Sequence, residues 1–137
     1  MRIMYCHDGT EKGQESLERA LNVFKCDKPD VVLLCVAEDV LDASLEDETI
    51  TEEYQSEQSA IMRSAAEKVA GAGLEVDVML ATGDPRRMIL EAIERKSPDI
   101  VIIARKEKSA MEGVFRKSLS AYLVKNAGCH LFIMGPS

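Results

Sequence analysis

Tryptophan is absent from this chain of 137 residues, which has only three tyrosines and three phenylalanines. Few aromatic side chains are therefore available to stack on a flavin ring, and the sequence disfavours flavin-based electron transfer. No apolar run approaches the roughly 20 residues that a membrane helix needs. The N-terminal residues 1–5 lead into a charged turn without the apolar stretch of a secretory signal. We expect a cytoplasmic protein that does not contact membranes.

A cysteine framework is also missing, because the four cysteines form neither a C-x-x-C pair nor an evenly spaced set. Three of them lie in apolar runs, where a reduced thiol packs as a small hydrophobic side chain. We interpret all four as buried thiols. They are Cys6, Cys26, Cys35 and Cys129.

His7 stands beside Cys6, and histidine and cysteine can bind zinc or form a nucleophilic pair. Neighbouring residues of a strand point to opposite faces, however, so these two side chains are poorly placed to act together. Only Cys35, on an expected neighbouring strand, could join either of them. We predict no metal site and no catalytic residue, and we interpret His7 as a loop histidine.

The charge is unevenly distributed along a chain whose net charge is -7. Residues 38–57 carry nine acidic residues and no base, whereas residues 105–125 carry six bases and two acids, 6 - 2 = +4. A predominantly acidic chain lacks the basic surface that nucleic-acid binding requires. We therefore expect no nucleic-acid partner.

Five short β-type runs alternate with segments of helical periodicity, which predicts one domain spanning residues 1–137. Alternation of this kind favours a doubly wound α/β fold, a five-stranded parallel sheet with helices on both faces. The third run alternates apolar and acidic residues, so we place that strand at an edge. The predicted strands are residues 2–6, 30–37, 74–81, 99–104 and 129–134.

Turn and cap residues agree with four helices. Thr10 can cap the first helix, Asp84-Pro85 supplies a cap followed by proline at the first helical position, and Gly128 is expected to end the last helix. The acidic segment from Glu38 to about Glu48 has no clear period. We predict that it is a mobile loop that leads into the second helix.

Ligands of such sheets bind beyond the carboxyl ends of the strands, where the strand order reverses. Residues 6–10, 36–37 and 104–120 follow three of the predicted strands and can contribute to such a site. Residues 83–85 follow the third strand and can approach it.

The same segments resemble the universal stress protein family, and the resemblance spans essentially the whole chain. Asp8-Gly9-Thr10 is similar to the family's Asp-Gly-Ser turn, and residues 83–85 resemble its Gly-Asp-Pro helix start. Residues 99–103 resemble its fourth strand, and residues 118–133 its closing helix and strand. The resemblance implies an adenine nucleotide alpha hydrolase-like fold with strand order 3-2-1-4-5.

ATP-binding members of this family carry G-x2-G-x9-G-[ST] after the fourth strand, and three of those glycines are replaced in this sequence. The matching positions hold Ala104, Glu107, Lys117 and Ser118, so only the final hydroxyl is retained. Glycines let the backbone approach phosphates and present successive N–H groups to them. A carboxylate at position 107 repels a phosphate instead. The resemblance therefore implies a degenerate ATP site.

Basic residues nevertheless surround this loop, and the last helix offers its N-terminus to an anion. A noncanonical nucleotide or anion site therefore remains an alternative to a solvated basic loop. By resemblance, Asp8 corresponds to the aspartate that faces the bound nucleotide, although aspartate before glycine is also an ordinary turn former. The candidate site residues are Asp8, Val36, Ala104, Arg105, Lys106, Lys117, Ser118 and Ser120.

The resemblance also implies a homodimer formed through the last strand, whose apolar residues need a covered edge. These residues are Leu131, Phe132, Ile133 and Met134.

Two functions follow from the sequence. The first is a nonenzymatic, cytoplasmic stress-response or regulatory module that acts as a homodimer on a protein partner and needs no cofactor. The alternative is a sensor that binds ATP or AMP through the basic loop. A phosphoaccepting receiver domain is disfavoured, because Leu80-Ala81-Thr82 supplies no aspartate at the end of the third strand.

Overall fold

The computed structural model of the protein describes residues 1–37, 48–104 and 117–135. Strands and helices alternate along these residues, as the sequence predicts. The strands are β1 (Arg2–His7), β2 (Asp30–Ala37), β3 (Val76–Thr82), β4 (Ile100–Ala104) and β5 (His130–Met134). The helices are α1 (Glu11–Phe24), α2 (Glu48–Gly71), α3 (Pro85–Lys96) and α4 (Lys117–Asn126), with a 3₁₀ turn at Lys25–Asp27.

The five strands form one parallel sheet in the order β3-β2-β1-β4-β5, which confirms the predicted topology. β1 lies between β2 and β4, so the strand order reverses at this central strand. β3 is an edge strand, as its alternating sequence predicted. The acidic loop predicted before α2 lies outside the described residues, and α2 begins at Glu48.

Each face of the sheet is covered by helices, and the two cores are separate. On one face, α1 and α2 pack on side chains such as Tyr5 and Leu33. On the other face, α3 and α4 pack on side chains such as Cys6 and Leu34. β1 and β2 are buried on both faces, which explains their continuous apolar sequences. The apolar side chains of edge strand β3 are less covered, and Val78 and Leu80 are 40% and 56% exposed.

Local capping signals give the helix boundaries. Thr10 Oγ1 accepts a hydrogen bond from the Gly13 N–H at 3.0 Å, and Asp84 caps α3 with Pro85 at its first position. α4 ends at Asn126, two residues before the predicted Gly128. Asn126 Nδ2 donates to the Tyr122 carbonyl at 2.8 Å and satisfies part of this helix end.

The cysteine prediction is right for Cys6 and Cys35, which are buried and reduced. It is wrong for Cys26, which is exposed, and Cys129 is only half-buried. Cys26 lies two residues after Phe24, the last residue of α1 that packs on the core, and belongs to the 3₁₀ turn rather than to the helix face that contacts the sheet. Among the described residues, no helix is long and apolar enough to cross a membrane.

Candidate functional site

Three of the predicted site residues lie at the carboxyl ends of the central strands. Asp8 follows β1 directly, Val36 is the penultimate residue of β2, and Ala104 ends β4. The register aligns His7 with Cys35 on β2, and Tyr5 with Ile102 on β4. The three strand ends therefore meet at one edge, where the strand order reverses.

The remaining candidates divide between α4 and the connection before it. Lys117, Ser118 and Ser120 lie in the first turn of α4, and Ser120 is half-buried. Arg105 and Lys106 lie outside the described residues, as does Glu107. Val36 is 5% exposed and belongs to the core under α3 and α4, so any contact that it makes with a ligand comes from its backbone.

The turn that contains Asp8 is closed by the carboxylate of Asp8 itself. Asp8 Oδ1 accepts hydrogen bonds from the Thr10 N–H at 3.0 Å and from the Thr10 hydroxyl at 2.6 Å. Gly9 has a φ of 79°, a left-handed conformation that favours glycine. The carboxylate expected to face a nucleotide thus also holds the turn and the cap of α1.

Gly13 allows this carboxylate to lie directly against α1. A Cβ atom at position 13 would stand 2.2 Å from Asp8 Oδ1 and 3.2 Å from His7 Cε1, and the first of these distances is a steric clash. The Gly13 carbonyl accepts a hydrogen bond from the buried Tyr5 hydroxyl at 2.6 Å. The first turn of α1 therefore packs on the end of β1 without an intervening side chain.

His7 was predicted to be a loop histidine, but it is the last residue of β1 and is fully buried. Its Nδ1 accepts from the Gly9 N–H at 2.9 Å, and its Nε2 lies 3.0 Å from Gln14 Oε1. An imidazole that accepts at Nδ1 carries its proton on Nε2, so Nε2–H donates to Gln14. The ring also makes an edge-to-face contact with Tyr5, at 5.8 Å between centroids.

The sequence contains a signal for this arrangement that residue-type reasoning missed. His7 follows Ile3 and Tyr5 at the alternating positions of β1 that face α1. A polar residue that extends such a buried row needs a partner on the covering helix, and Gln14 in the first turn of α1 supplies it. The opposite orientation of Cys6, in the core under α3 and α4, confirms that these neighbours do not act together.

Burial keeps the thiols near the site protonated and unreactive. It raises the pKa of Cys6 to about 12, and burial together with the Asp8 charge raises the pKa of Cys35 to about 11. The thiolate is the nucleophilic form, so neither thiol is activated at neutral pH. No cluster of three potential metal ligands occurs within residues 1–37, 48–104 and 117–135.

The first turn of α3 contacts the middle of α4. The Arg86 guanidinium lies over the Tyr122 ring, 5.4 Å from its centroid, and links the two helices. The Gly83 N–H donates to the Ala37 carbonyl at 3.0 Å, so the turn before α3 lies beside the carboxyl end of β2. Arg86 is a cation near the site that the sequence reasoning did not select.

The described residues bring several groups of the candidate site together. They supply a carboxylate, the strand ends and the N-terminus of α4, with alanine at position 104 and lysine at position 117. Gln14 Nε2 is buried and has no hydrogen-bond partner among the described residues, so one donor near the turn is unsatisfied.

A separate groove of about 340 Å³ lies at the opposite edge of the sheet, at the amino ends of β1, β2 and β3. Basic and acidic side chains line it together, among them Arg2, Arg95 and Glu75. Lys96 Nζ and Asp77 Oδ2 form an ion pair at 2.5 Å within this lining. The groove is distant from the point where the strand order reverses and does not belong to the candidate site.

The parallel sheet, whose strand order reverses at β1, and the helices on both of its faces define a doubly wound α/β domain. The model of the universal stress protein family matches residues 1–134, and the chain belongs to that family.

Individual relatives agree with this assignment. A universal stress protein of Methanocaldococcus jannaschii is 23% identical over 97% of this chain and 81% of its own length. A solved protein described as hypothetical, whose biochemical function was assigned from its structure, has a TM-score of 0.83 at 17% identity, over 99% of this chain and 96% of that one. An Arabidopsis thaliana universal stress protein family protein with AMP bound has a TM-score of 0.71 at 15% identity, over 100% and 92% of the two chains. At these identities, the structural similarities show the fold.

Proposed function

We propose that this chain is a nonenzymatic universal stress protein, a cytoplasmic regulatory module that acts as a homodimer on a protein partner without the standard ATP site. The observation that carries the proposal is the position of the Asp8 carboxylate. Its Oδ1 bonds twice to Thr10 and lies against Gly13, so the group that would face a nucleotide is committed to its own turn.

The residues at the former glycine positions support the same reading. By the resemblance, Glu107 takes the place of a glycine of the ATP-binding motif, and like charges about 4 Å apart repel by roughly 1 kcal/mol in water and by more when they are partly desolvated. Lys117 begins α4 and lacks the conformational freedom of glycine. Both residues would therefore disfavour the binding of a triphosphate in the manner of the family's ATP-binding members.

Edge strand β5 supports the homodimer part of the proposal. Ile133 is 43% exposed, whereas Met134 is buried in the core of its own protomer. Phe132 makes an edge-to-face contact with Phe24 of α1, at 5.2 Å between ring centroids. A partner strand would therefore cover the backbone edge of β5 and Ile133, more than Phe132 or Met134.

A thermal-shift titration with ATP, ADP and AMP, with and without magnesium, tests the degenerate site. A ligand at 100 times its Kd stabilises the native state by about 2.7 kcal/mol, which raises Tm by roughly 10 °C in a domain of this size. We expect no saturable shift at millimolar nucleotide and no nucleotide retained after purification. A saturable, adenine-dependent shift would contradict the proposal.

The alternative, a sensor of ATP or AMP, is favoured by one specific observation. The carboxyl edge brings Asp8, Ala104 and the first turn of α4 together at the reversal of strand order, and one solved relative has AMP bound. On this reading, the basic residues of the 105–117 segment replace the glycine cradle.

Charge-removing substitutions separate the two readings. If a thermal shift is seen, Arg105→Gln, Lys106→Gln and Lys108→Gln combined should abolish most of it while leaving the Tm of the free protein nearly unchanged. The matched control replaces three bases elsewhere on the chain, Arg63, Lys125 and Lys28, with Gln. An equal loss of affinity in both variants would point to nonspecific attraction of the anion.

A further inference from the structure

His7 is a buried, titratable side chain that neither proposed function uses. It is 0% exposed, and both ring nitrogens have partners in the segment that follows β1. One partner is the backbone N–H of Gly9, within the Asp8 turn, and the other is Gln14, in the first turn of α1. The ring thus connects the strand, the turn and the helix.

These two hydrogen bonds have a direction that depends on the proton of the ring. Nδ1 must carry a lone pair to accept from the Gly9 N–H, so the neutral ring holds its proton on Nε2. A second proton on Nδ1 would place two donors 2.9 Å apart and remove the bond to Gly9. The bond from Nε2–H to Gln14 Oε1 is compatible with both charge states.

We propose that His7 couples proton binding to the conformation of the Asp8 turn, which is held closed by the neutral ring and released when Nδ1 is protonated. Release removes the anchor of Gly9, whose left-handed φ of 79° allows Asp8 Oδ1 to bond to Thr10. It also loosens the packing of Asp8 against Gly13. The conformation of the candidate site edge then depends on pH.

The ring lies between an aromatic side chain and a nearby carboxylate. It packs edge-to-face on Tyr5, beside the apolar core under α1 and α2. The charge of the Asp8 carboxylate is close enough to this region to contribute, after the larger effect of burial, to the raised pKa of Tyr5 and of Cys35.

Further titratable groups lie on the neighbouring elements, within the side chains that the structure describes. Cys35 is level with His7 on β2, and burial keeps its thiol neutral. Arg19 of α1 acts on Tyr5, and Glu11 and Lys12 are exposed on the first turn of α1. α2 contributes Met62 and Ala65 to this core, and β4 contributes Ile102, all of them without charge. Imidazole is the type of side chain that ordinarily changes charge between pH 5 and 8, and this sets the pH range of the test.

The chain allows a clean test, because it contains only two histidines and the other, His130, is exposed. In the full-length His130→Gln variant, the ring signals observed by ¹⁵N NMR belong to His7 alone. We expect the Nε2–H tautomer at pH 8. On acidification to pH 5.5, the ring and the amides of Gly9 and Thr10 should change with one common midpoint.

A second variant separates the switch from a structural role. Asparagine can place its Oδ1 near the position of Nδ1 and accept from Gly9 without titrating, so His7→Asn should keep the turn closed at pH 8 and remove its pH dependence. If this variant does not fold, the titration of His130→Gln decides alone. The proposal is overturned by a proton on Nδ1 at pH 8, by a ring that stays neutral to pH 5.5, by turn amides that do not follow the ring, or by an unchanged transition in His7→Asn.

Discussion

Replacing Gly13 with alanine tests whether the Asp8 carboxylate holds the turn. Alanine is normally the better helix residue, by about 0.5–1 kcal/mol. At this position, however, its Cβ would lie 2.2 Å from Asp8 Oδ1, so the carboxylate must retreat by about 1 Å to reach ordinary contact. That movement breaks the two hydrogen bonds to Thr10, each to a charged acceptor and each contributing about 1.5 kcal/mol or more.

The sum gives an expected loss of about 2 kcal/mol in the free energy of unfolding, since alanine restores part of the cost. For a domain of this size, that loss corresponds to a Tm lower by about 6–10 °C. Urea denaturation and calorimetry at pH 7.5 measure both quantities.

Two matched variants isolate the cause. Gly71 lies in α2 with no atom within 4 Å of an added Cβ, so Gly71→Ala should stabilise the protein by about 0.5–1 kcal/mol. In an Asp8→Ala background, Gly13→Ala should cost less than about 0.5 kcal/mol, because the clashing carboxylate is gone. An equal loss in the wild-type and Asp8→Ala backgrounds would refute the reasoning, since the clash would then not involve Asp8.

Three further outcomes follow from the described contacts. Tyr5→Phe removes the buried donor to the Gly13 carbonyl and should lower the free energy of unfolding by about 1–2 kcal/mol in urea titrations; an unchanged midpoint would contradict that hydrogen bond. Burial raises the pKa of Cys6 and of Cys35 from 9.0 to about 12 and about 11. The contribution of these buried thiols to the free energy of unfolding is therefore complete below pH 9, and it is lost as the pH rises, by about 1.4 kcal/mol per pH unit for each thiol. Alanine at both positions should flatten the decline of the free energy of unfolding between pH 9 and 11. An equally steep decline in this variant would contradict the assignment of the decline to the two thiols. Ile133→Asp on β5 should convert the proposed dimer to a monomer in light scattering, whereas Leu80→Asp on the opposite edge strand should not; dissociation by both or by neither would argue against a β5 interface.

Much of the fold could be predicted because its signals are local. The cap at Thr10 and the Asp84-Pro85 start of α3 depend on residues within one turn of each other. The uninterrupted apolar sequence of β2 and the alternation in β3 distinguish a central strand from an edge strand. Cys26 shows where such signals fail. Its residue type suggested burial, but it lies in the 3₁₀ turn after the end of α1 and is exposed.

The candidate site was predicted only in part. The sequence placed Asp8, Val36 and Ala104 at strand ends, and the parallel topology then brings them to one edge. It did not indicate that the Asp8 carboxylate turns back onto Thr10, or that Arg86 stacks on Tyr122 from another helix. These contacts depend on how α1, α3 and α4 are seated on the sheet.

The sequence by itself determined the order of elements and the edge position of β3, because periodicity and caps are properties of neighbours along the chain. Only the tertiary structure decided that His7 is buried with Nδ1 facing the Gly9 N–H, and that Gly13 leaves room for the Asp8 carboxylate. Burial and close approach depend on how α1 packs against β1. A displacement of about one ångström would separate these groups or make them overlap, and no sequence pattern specifies a distance that precisely.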